Sequence, residues 1–380
     1  MARVRFGDVI KEIKINIDRA TDNHEFYIAG EHMETENIHL TKRGRFEGSD
    51  VGPAFIRLFR PGQVLYGSRR TYLKKVAVAD FEGITSNTTF VLETKDQSVM
   101  MQELLPFIML TDSFTEYAIR NSKGSTNPYI LFSDLCAYEF ELPAIEEQHI
   151  LATRLLACDN VKEAYKRLLT ATDELVKSQF VEMFGNPVSN AMAWQMRPLK
   201  ETCTLMTGNT PSRAEKEYYG SYIEWIKSDN ITNPSLYLTT AAESLSEKGA
   251  EVGRIVHPGA ILMTCIAGSL NTIGNVAIVD RDVAFNQQIN AIIPHQYDTL
   301  FLCYLLKLLK PKLHEVASSA LKCILNKGNL EAFTAIVPDI ALQKEFSSFV
   351  AQSDKSKFAA QQALADLTAT QKALMRQYLG

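Results

Sequence analysis

The sequence lacks the cysteine and histidine arrangements that metal centres and disulfide-rich folds require. Six cysteines are scattered through 380 residues, with no Cys-x-x-Cys pair and no Cys/His cluster at metal-ligand spacing. Such a pattern is typical of reduced, buried thiols in a cytoplasmic protein. We therefore expect neither a disulfide framework nor a metal site in this chain.

Long apolar runs and catalytic motifs are also absent. No stretch approaches the roughly 20 apolar residues of a membrane-spanning helix, and residues 1–6 lack the apolar core of a secretory signal, so a cytoplasmic location is expected. The glycine-spaced segment 268–274 has no Gly-Lys-Ser/Thr and is not a phosphate-binding loop. No Ser/His/Asp or Cys/His nucleophile set presents itself. The sequence thus predicts a chain that is not an enzyme and binds no cofactor.

The dominant feature that is present is an internal repeat. Residues 142–185 open Leu-Pro-Ala-Ile-Glu-Glu-Gln, and residues 337–380 open Val-Pro-Asp-Ile-Ala-Leu-Gln; both segments end in Gly. Pro143 and Pro338 suit the entry to a helix but not its interior. Two copies of Pro-x-Ile-x-x-Gln before a helix-length segment indicate a duplicated and fused unit.

The stretches between the helices repeat as well. Residues 59–65 line up with 256–262 around a shared Pro-Gly, and a helix predicted at 99–119 falls near one at 300–315. We therefore predict an α+β fold with a pseudo-two-fold internal repeat, in which two homologous mixed α/β domains are separated by two long helices forming an antiparallel coiled-coil-like pair. The predicted boundaries are 1–145 for the first domain, 146–186 for the first helix, 187–340 for the second domain and 341–380 for the second helix.

Apolar residues on both helices follow the alternating spacing of a coiled-coil seam. The predicted seam consists of Leu151, Val161, Tyr165, Leu168 and Leu175 on the first helix, and Phe346, Ala360, Ala363, Leu367 and Leu374 on the second. Large residues opposite alanines would interdigitate, and each helix would span roughly 50–60 Å at about 1.5 Å per residue. The alternative is that each helix packs only on its own domain.

Charge is unevenly distributed along the chain. A net charge of −4 argues mildly against nucleic-acid binding. Between residues 42 and 75, however, nine basic residues are opposed only by Glu47 and Asp50, a local excess of seven positive charges (nine minus two). Lys and Arg in such a stretch would neutralise phosphates, and Arg can read guanine bidentately. A solvated charged surface is the alternative.

The second domain offers amide and hydroxyl side chains on glycine-containing turns. Such groups suit base edges and phosphate oxygens, although they are also common turn formers. In the first domain the candidate DNA contacts are Lys42, Arg43, Arg45, Arg69, Arg70, Lys74, Lys75, Lys123, Ser125, Thr126 and Asn127. In the second domain they are Thr210, Ser212, Arg213, Lys227, Asn230, Ser269, Asn271, Thr272, Gln287, Lys322 and Lys327.

Two other functions remain open from the residues alone. Asp80, Glu93 and Lys95 are similar to the Asp…Glu-x-Lys site of many nucleases, in which carboxylates hold Mg²⁺. The second copy lacks the corresponding acid and lysine near Asp280 and Ile292. A Mg²⁺-dependent nuclease is therefore the catalytic alternative, and a protein scaffold without DNA readout is the non-catalytic one.

The order of these motifs resembles the specificity subunits of type I restriction–modification enzymes. Leu142–Ile150 is similar to the start of that family's conserved helical region, and segments 207–212 and 222–226 are similar to the opening of its target-recognition domains. Segments 258–262 and 285–288 resemble later landmarks. The resemblance covers essentially the whole chain, and the duplicated order of the motifs is highly specific.

The resemblance implies a non-catalytic, sequence-specific DNA-binding subunit of a restriction system. Each target-recognition domain would read one half of a bipartite double-stranded site, and the helix pair would set the gap between the halves. Two modification subunits would dock on this chain, and restriction subunits would join them. S-adenosylmethionine, ATP and Mg²⁺ would be bound by those methyltransferase and endonuclease partners, not by this chain.

Overall fold

The chain folds into two compact units. The computed structural model describes residues 2–231, 235–318 and 324–380. The first unit comprises residues 1–167 and 360–380, and the second unit comprises residues 168–359. Each unit is thus formed by a sheet-containing region together with part of each long helix.

The described residues of the first unit form ten strands, four short α-helices, the start of the first long helix and the end of the second. The strands are β1 (Ala2–Arg5), β2 (Ile10–Glu12), β3 (Phe26–Ile28), β4 (Gly44–Arg45), β5 (Phe55–Phe59), β6 (Val64–Gly67), β7 (Val76–Val78), β8 (Gly83–Ser86), β9 (Thr89–Thr94) and β10 (Glu139–Leu142). The helices are α1 (Phe6–Val9), α2 (Leu105–Met109), α3 (Asp112–Arg120), α4 (Phe132–Leu135) and α5 (Ile145–Phe184), which continues into the second unit.

Two four-stranded sheets form the body of the first unit. One has the strand order β2-β9-β6-β7 and the other the order β4-β3-β8-β5, while β1 pairs with β10. β3 and β8 run parallel and the other pairs are antiparallel. The core beneath the first sheet is aromatic: Phe6, Phe107 and Phe114 are fully buried. Burying one such side chain contributes about 1.5–3 kcal/mol.

The second unit repeats this plan between the two long helices. Its strands are β11 (Met196–Pro198), β12 (Cys203–Thr207), β13 (Tyr219–Gly220), β14 (Ile223–Ile226), β15 (Ser244–Leu245), β16 (Ile255–Val256), β17 (Ile261–Thr264), β18 (Val276–Ile278), β19 (Val283–Phe285), β20 (Ile289–Pro294) and β21 (Thr334–Ile336). Its helices are α6 (Leu199–Thr202), α7 (Glu247–Val252), α8 (Thr299–Leu308), α9 (Lys310–Ser318), α10 (Lys327–Ala332) and α11 (Ile340–Leu379), which continues into the first unit.

The sheet topology of the second unit matches that of the first strand by strand. The sheet β12-β20-β17-β18 has the connectivity of β2-β9-β6-β7, and β11 pairs with β21 as β1 pairs with β10. In the other sheet β14 and β19 are parallel, as β3 and β8 are. The added strand β13 makes this sheet five-stranded. The predicted internal repeat of two mixed-sheet regions is therefore confirmed.

Both long helices contain 40 residues, and they pack together within each unit. In the first unit Leu151 and Leu155 of α5 share a buried core with Met375 of α11. In the second unit the rings of Phe180 and Phe346 lie edge to face with centroids 5.3 Å apart. The early part of one helix meets the late part of the other in each case, so the pair is antiparallel. The α+β class with two packed long helices is confirmed.

The predicted seam is wrong for part of α5. Its Leu151 is buried, but Val161, Leu168 and Leu175 are 43%, 51% and 53% exposed. Polar Asp159 and Lys162 are buried in their place. The apolar residues with seam spacing therefore lie on the exposed side of this part of α5. The buried side carries polar groups that have hydrogen-bond partners. Of the other predicted seam residues, Phe346 and Ala360 are buried, and Tyr165, Ala363, Leu367 and Leu374 are partly buried.

The helix predicted at 99–119 is interrupted. α2 ends at Met109 and α3 begins at Asp112. Thr111 adopts an extended backbone conformation, and its hydroxyl accepts a hydrogen bond from the Phe114 amide at 3.2 Å. Because a capping threonine satisfies the free amides of a new helix, it favours a restart over continuation. Separately, none of the helices in the described part of the chain is long and apolar enough to cross a membrane.

Candidate nucleic-acid interface

Two loops that are distant in sequence meet in the first unit. The Arg70 amide donates to the Pro128 carbonyl at 2.7 Å, and Arg70 Nε donates to Asn127 Oδ1 at 3.2 Å. Arg69 forms an isolated β-bridge with Tyr129, and Tyr129 forms another with Lys123. The structure therefore brings Arg69, Arg70, Lys123 and Asn127 together. The neighbouring Ser125 and Thr126 are exposed on the same loop.

The first of these loops is a tight turn. A single 3₁₀ turn, Thr71–Leu73, is flanked by Arg70 at φ 52° and Lys74 at φ 46°. Left-handed backbone is uncommon for residues with a Cβ and costs about 1–3 kcal/mol where the surroundings enforce it. Here the Thr71 hydroxyl lies 3.2 Å from that of Ser122, which ties the turn to the second loop. Arg69 and Tyr72 point outward and remain exposed.

The uninterrupted basic surface expected between residues 42 and 75 is not what the structure contains. Five of the nine bases are in ion pairs, which are Lys42–Glu34, Arg45–Glu25, Arg57–Glu12, Arg60–Glu82 and Lys74–Glu36. Lys74 also contacts Asp112 at 3.0 Å and its side chain is only 16% exposed. Acids from elsewhere in the chain fold against this stretch, which local sequence cannot reveal.

The remaining first-unit candidates are also engaged. The guanidinium of Arg43 lies 3.9 Å from the centroid of the Phe26 ring, a cation–π contact. The ammonium of Lys75 donates to the Gly30 carbonyl. Lys123 pairs with Asp134 at 2.9 Å but its side chain stays half exposed. Arg69 and Arg70 are therefore the bases of this stretch that lie beside the second loop and face outward.

In the second unit the segment 207–213 is held in place by its backbone. Gly208 and Asn209 donate their amides to the carbonyls of Ile289 and Phe285. A Cβ on Gly208 would lie 2.1 Å from the Asn286 carbonyl oxygen, so no other residue fits there. The Thr210 hydroxyl donates to the Gln287 side chain, and Ser212 is exposed. Thr210 and Gln287 are candidate contacts that lie far apart in sequence, and this hydrogen bond brings them together.

Arg213 and Lys227 converge on one carboxylate. Arg213 lies 2.8 Å from Glu243, and Lys227 forms an ion pair with the same group. Both cations also lie over the Trp225 ring, at 5.0 Å and 5.2 Å from its centroid. The hydrogen bonds from Lys227 and Arg213 hold the pKa of Glu243 below its usual range. Glu243 was missed because its neighbours carry no motif, and only strand register places it here.

The other second-unit candidates divide into exposed and buried groups. Ser269, Asn271 and Lys327 are exposed, and Thr272 is partly buried. Asn230 is wrong as a DNA contact: it is 6% exposed, and its amide bonds Thr239, Thr240 and the Lys227 backbone. It is a turn former. Lys322 lies outside the described residues.

The loop that follows β6 and the loop that follows β17 are anchored by equivalent backbone hydrogen bonds. Ile130 donates its amide to the Ser68 carbonyl at 3.0 Å, and Leu325 donates to the Cys265 carbonyl at 2.9 Å. Ser68 directly follows β6, and Cys265 directly follows the corresponding strand β17. The same backbone frame therefore carries different side chains, rich in guanidinium groups in one unit and in amides and hydroxyls in the other.

Glu93 and Lys95 of the nuclease alternative are engaged with other groups. Glu93 accepts from Gln63 at 2.8 Å and pairs with Lys11 at 3.2 Å, while Lys95 donates to the Gly7 carbonyl at 2.5 Å. Glu93 and Lys95 line one surface cavity and Asp80 lines another. Within residues 2–231, 235–318 and 324–380, no group of three or more His, Cys, Asp or Glu side chains could hold a metal ion. Nothing favours this alternative.

Comparison with known proteins agrees over most of the chain. The model of the type I restriction modification DNA specificity domain matches residues 32–170 and 192–367. The specificity subunit of the type I restriction enzyme HindI from Haemophilus influenzae is 30% identical over 376 aligned positions, covering 79% of this chain and 80% of that protein.

Two solved structures share the fold. The S subunit of a type I restriction–modification system from M. genitalium has a TM-score of 0.60 at 14% identity, covering 100% of this chain and 96% of that one. A chain from a study of complex assembly and conformational transition of the type I system has a TM-score of 0.55 at 18% identity, covering 99% and 97%. The chain therefore belongs to the type I restriction–modification DNA specificity subunits, which recognise the target site without catalysing a reaction and carry no cofactor of their own.

Proposed function

We propose that each unit of this specificity subunit reads one half of a bipartite double-stranded DNA site. The observation that carries the proposal is the repeated loop frame with unlike side chains. In the first unit Arg69 and Arg70 abut the loop 123–129. In the second unit the loop that follows β17 corresponds to the loop that follows β6, and it carries Ser269 and Asn271. Thr210, Gln287 and Arg213 lie on other loops of that unit. Identical frames with different donors and acceptors suit two different base sequences.

The first half-site is read by guanidinium groups in this proposal. Arg69 and Arg70 supply planar donors for the O6 and N7 of guanine, while Lys123 and the hydroxyls of Ser125 and Thr126 contact phosphates. In the second unit the exposed Gln287, Asn271 and Ser269 supply amide and hydroxyl groups, the Arg213 guanidinium supplies planar donors, and Lys327 supplies positive charge.

The two long helices set the gap between the half-sites. Support comes from their length, since 40 residues at about 1.5 Å each give roughly 60 Å of helix. The test inserts four residues into α5 after Thr170 and four into α11 after Ala359, which keeps the antiparallel pair in register. We expect the recognised gap to lengthen while both half-sites stay unchanged. Altered half-sites would contradict this role.

Two modification subunits dock on the helices and supply S-adenosylmethionine and adenine methylation, and restriction subunits bring ATP-dependent cleavage with Mg²⁺. Support comes from exposed apolar residues on α5. In the first unit Ile150 and Val161 are 55% and 43% exposed, and in the second unit Leu168 and Leu175 are 51% and 53% exposed. Val161, Leu168 and Leu175 are seven residues apart, and exposed apolar residues at this spacing suit a partner helix. The proposed complex acts on DNA in the cytoplasm.

The decisive experiment is methylation mapping of DNA modified by the complex. It reports both half-sites and the gap at once. Replacing Arg69 and Arg70 together by alanine should abolish recognition of one half-site and leave the complex assembled. A scaffold without DNA readout predicts an unchanged methylation pattern and DNA affinity for this variant. The nuclease alternative predicts instead that the purified chain cleaves DNA with Mg²⁺ and that Glu93→Ala abolishes this cleavage. We expect no cleavage by either protein.

A further inference from the structure

The Arg213–Glu243–Lys227 cluster is built with more support than a surface ion pair needs. The Trp225 amide donates to the Glu243 carbonyl at 3.0 Å. This hydrogen bond fixes the backbone of Glu243 directly before β15. The side chain of Glu243 then accepts from both cations. Because two fixed cations share one carboxylate, the rotamers of both long side chains are restricted.

The aromatic side chains beneath the cluster also hold the loop from which Arg213 extends. Trp225 Nε1 donates to the Asn209 carbonyl at 3.3 Å, and the Tyr219 hydroxyl donates to the Pro211 carbonyl at 2.7 Å. The Arg213 guanidinium returns over the Tyr219 ring at 4.4 Å. Loop, rings and guanidinium therefore form one connected arrangement, and the Arg213 side chain remains 55% exposed.

The first unit has no such carboxylate. The parallel pairs Tyr27–Ile84 and Trp225–Ala284 are equivalent, and Tyr27 lies opposite Gly44 on the neighbouring strand. Continuing the register of β14 and β15 places Glu243 at the Gly44 position. A Cβ on Gly44 would lie 2.2 Å from the Tyr27 ring, so no side chain fits there. The acid is thus a feature of the second unit and not of the shared fold.

We propose that Glu243 is a positioning residue that sets the selectivity of the second half-site by holding Arg213 in a base-reading orientation and restraining Lys227 from unselective phosphate binding. The carboxylate occupies one edge of the guanidinium and leaves its other donors free for a base edge. A pre-positioned Arg loses less rotamer entropy on binding the correct base. The same carboxylate offsets two positive charges, which weakens attraction to any DNA.

This inference rests on the proposed contact of the second unit with DNA, so the experiment separates the two. The half-site is first mapped by methylation with the intact complex. That complex is then titrated onto the mapped duplex, onto duplexes changed one base pair at a time in either half-site, and onto an unrelated duplex of equal length. The variants are Glu243→Gln, Glu243→Asp and Arg213→Ala, and the matched control is Glu217→Gln, which breaks the exposed 2.6 Å pair with Lys248.

For Glu243→Gln we expect discrimination at one base pair of one half-site to fall roughly tenfold. Affinity for the unrelated duplex should rise, and the slope of log K against log salt should steepen by up to about 1.8, because two released cations would each displace about 0.9 counterion. Glu243→Asp should restore much of the discrimination. Glu217→Gln should leave discrimination unchanged.

Each other outcome has a defined meaning. Unchanged discrimination and salt slope in Glu243→Gln would overturn the inference. An equal loss of affinity for all duplexes with a lower melting temperature would also overturn it, since that indicates a purely structural role. If Arg213→Ala leaves recognition intact, the proposed DNA contact of the second unit fails first. Should Glu243→Gln not fold, Arg213→Lys tests the same arrangement, because it keeps the charge and loses the planar fork; retained discrimination would then overturn the inference.

Discussion

Gln148 and Gln343 occupy the same position in the two copies of the duplicated segment and make the same kinds of hydrogen bond. Gln148 is 1% exposed; it accepts from the Met101 amide at 3.0 Å and donates to the carbonyls of Val99 and Pro143 at 2.9 Å. Gln343 is fully buried; it accepts from the Asp298 amide at 2.9 Å and donates to the Pro338 carbonyl at 2.9 Å. The glutamine of the repeated Pro-x-Ile-x-x-Gln therefore connects the start of each long helix to its own unit through buried hydrogen bonds.

Replacing either glutamine by leucine should destabilise the protein. The change leaves a buried backbone amide and carbonyls without partners, at a cost of about 1–3 kcal/mol. Urea unfolding followed by circular dichroism measures the loss. Gln352→Leu on the exposed face of α11 is the control and should stay within about 0.5 kcal/mol of the parent. Equal stabilities for Gln148→Leu and Gln352→Leu would show that the hydrogen bonds of Gln148 do not stabilise the protein.

The revised helix packing gives a second prediction. Phe346 is fully buried among Phe180, Phe184 and Phe301, so Phe346→Ala should lower the free energy of unfolding by about 3–5 kcal/mol. Leu168 is half exposed, and Leu168→Ala should cost less than about 0.5 kcal/mol. The same Leu168 variant should bind the modification subunit more weakly. A large loss of stability in Leu168→Ala would instead support the helix seam that the sequence predicts.

The sequence predicts the long helices better than it predicts their contacts. The predicted helices, 146–186 and 341–380, each begin one residue after α5 and α11 and end two residues and one residue beyond them, because proline entries and glycine ends are local signals. The buried face of α5 instead includes Asp159 and Lys162, whose partners His39 and Gln371 are more than a hundred residues away. Apolar periodicity cannot identify a buried position filled by a polar residue whose partner folds in from elsewhere.

The same limit applies to the candidate DNA contacts. Local composition selected Arg69 and Arg70, which the structure places exposed beside a second loop. It also selected Lys74, which pairs with Glu36 and Asp112. Whether a base is free for phosphate depends on acids that tertiary folding brings near, and Asp112 is 38 residues away. Only strand register could have identified Glu243.

The contact between His39 and Asp159 makes stability depend on pH. His39 Nε2 lies 2.6 Å from Asp159 Oδ2, and this hydrogen bond raises the pKa of His39 above 6.5, helped by Glu163 and opposed by Lys166. The stabilisation is fully present below pH 6.5, where the unfolded histidine is also charged, and is lost as pH rises through the higher folded pKa.

His39→Gln should therefore destabilise the protein more at pH 6 than at pH 8. The destabilisation at pH 6 should exceed that at pH 8 by about 1 kcal/mol. A hydrogen bond to a charged group contributes more than this when it is shielded from water, but the imidazole is 38% exposed and solvent screens the interaction. Unfolding free energies at both pH values, for His39→Gln, Asp159→Asn and the double variant, isolate the pair. A His39→Gln penalty that is equal at both pH values would contradict the assignment.

Gly208 offers the clearest connection between backbone geometry and recognition. Gly208→Ala would place a Cβ 2.1 Å from the Asn286 carbonyl oxygen, so the segment 207–213 must move away from Phe285 and Asn286 and carry Arg213 with it. We expect one half-site to be recognised at least tenfold less well, since a bidentate Arg–base contact is worth about 1–3 kcal/mol.

Gly52→Ala is the matched control, because no atom lies within 4 Å of the added methyl. Methylation of duplexes altered in a single half-site provides the measurement. A Gly208→Ala complex that methylates as the parent does would show that this segment does not position a DNA contact, whereas loss confined to the half-site that Arg213→Ala also affects would place both residues in the same reading surface.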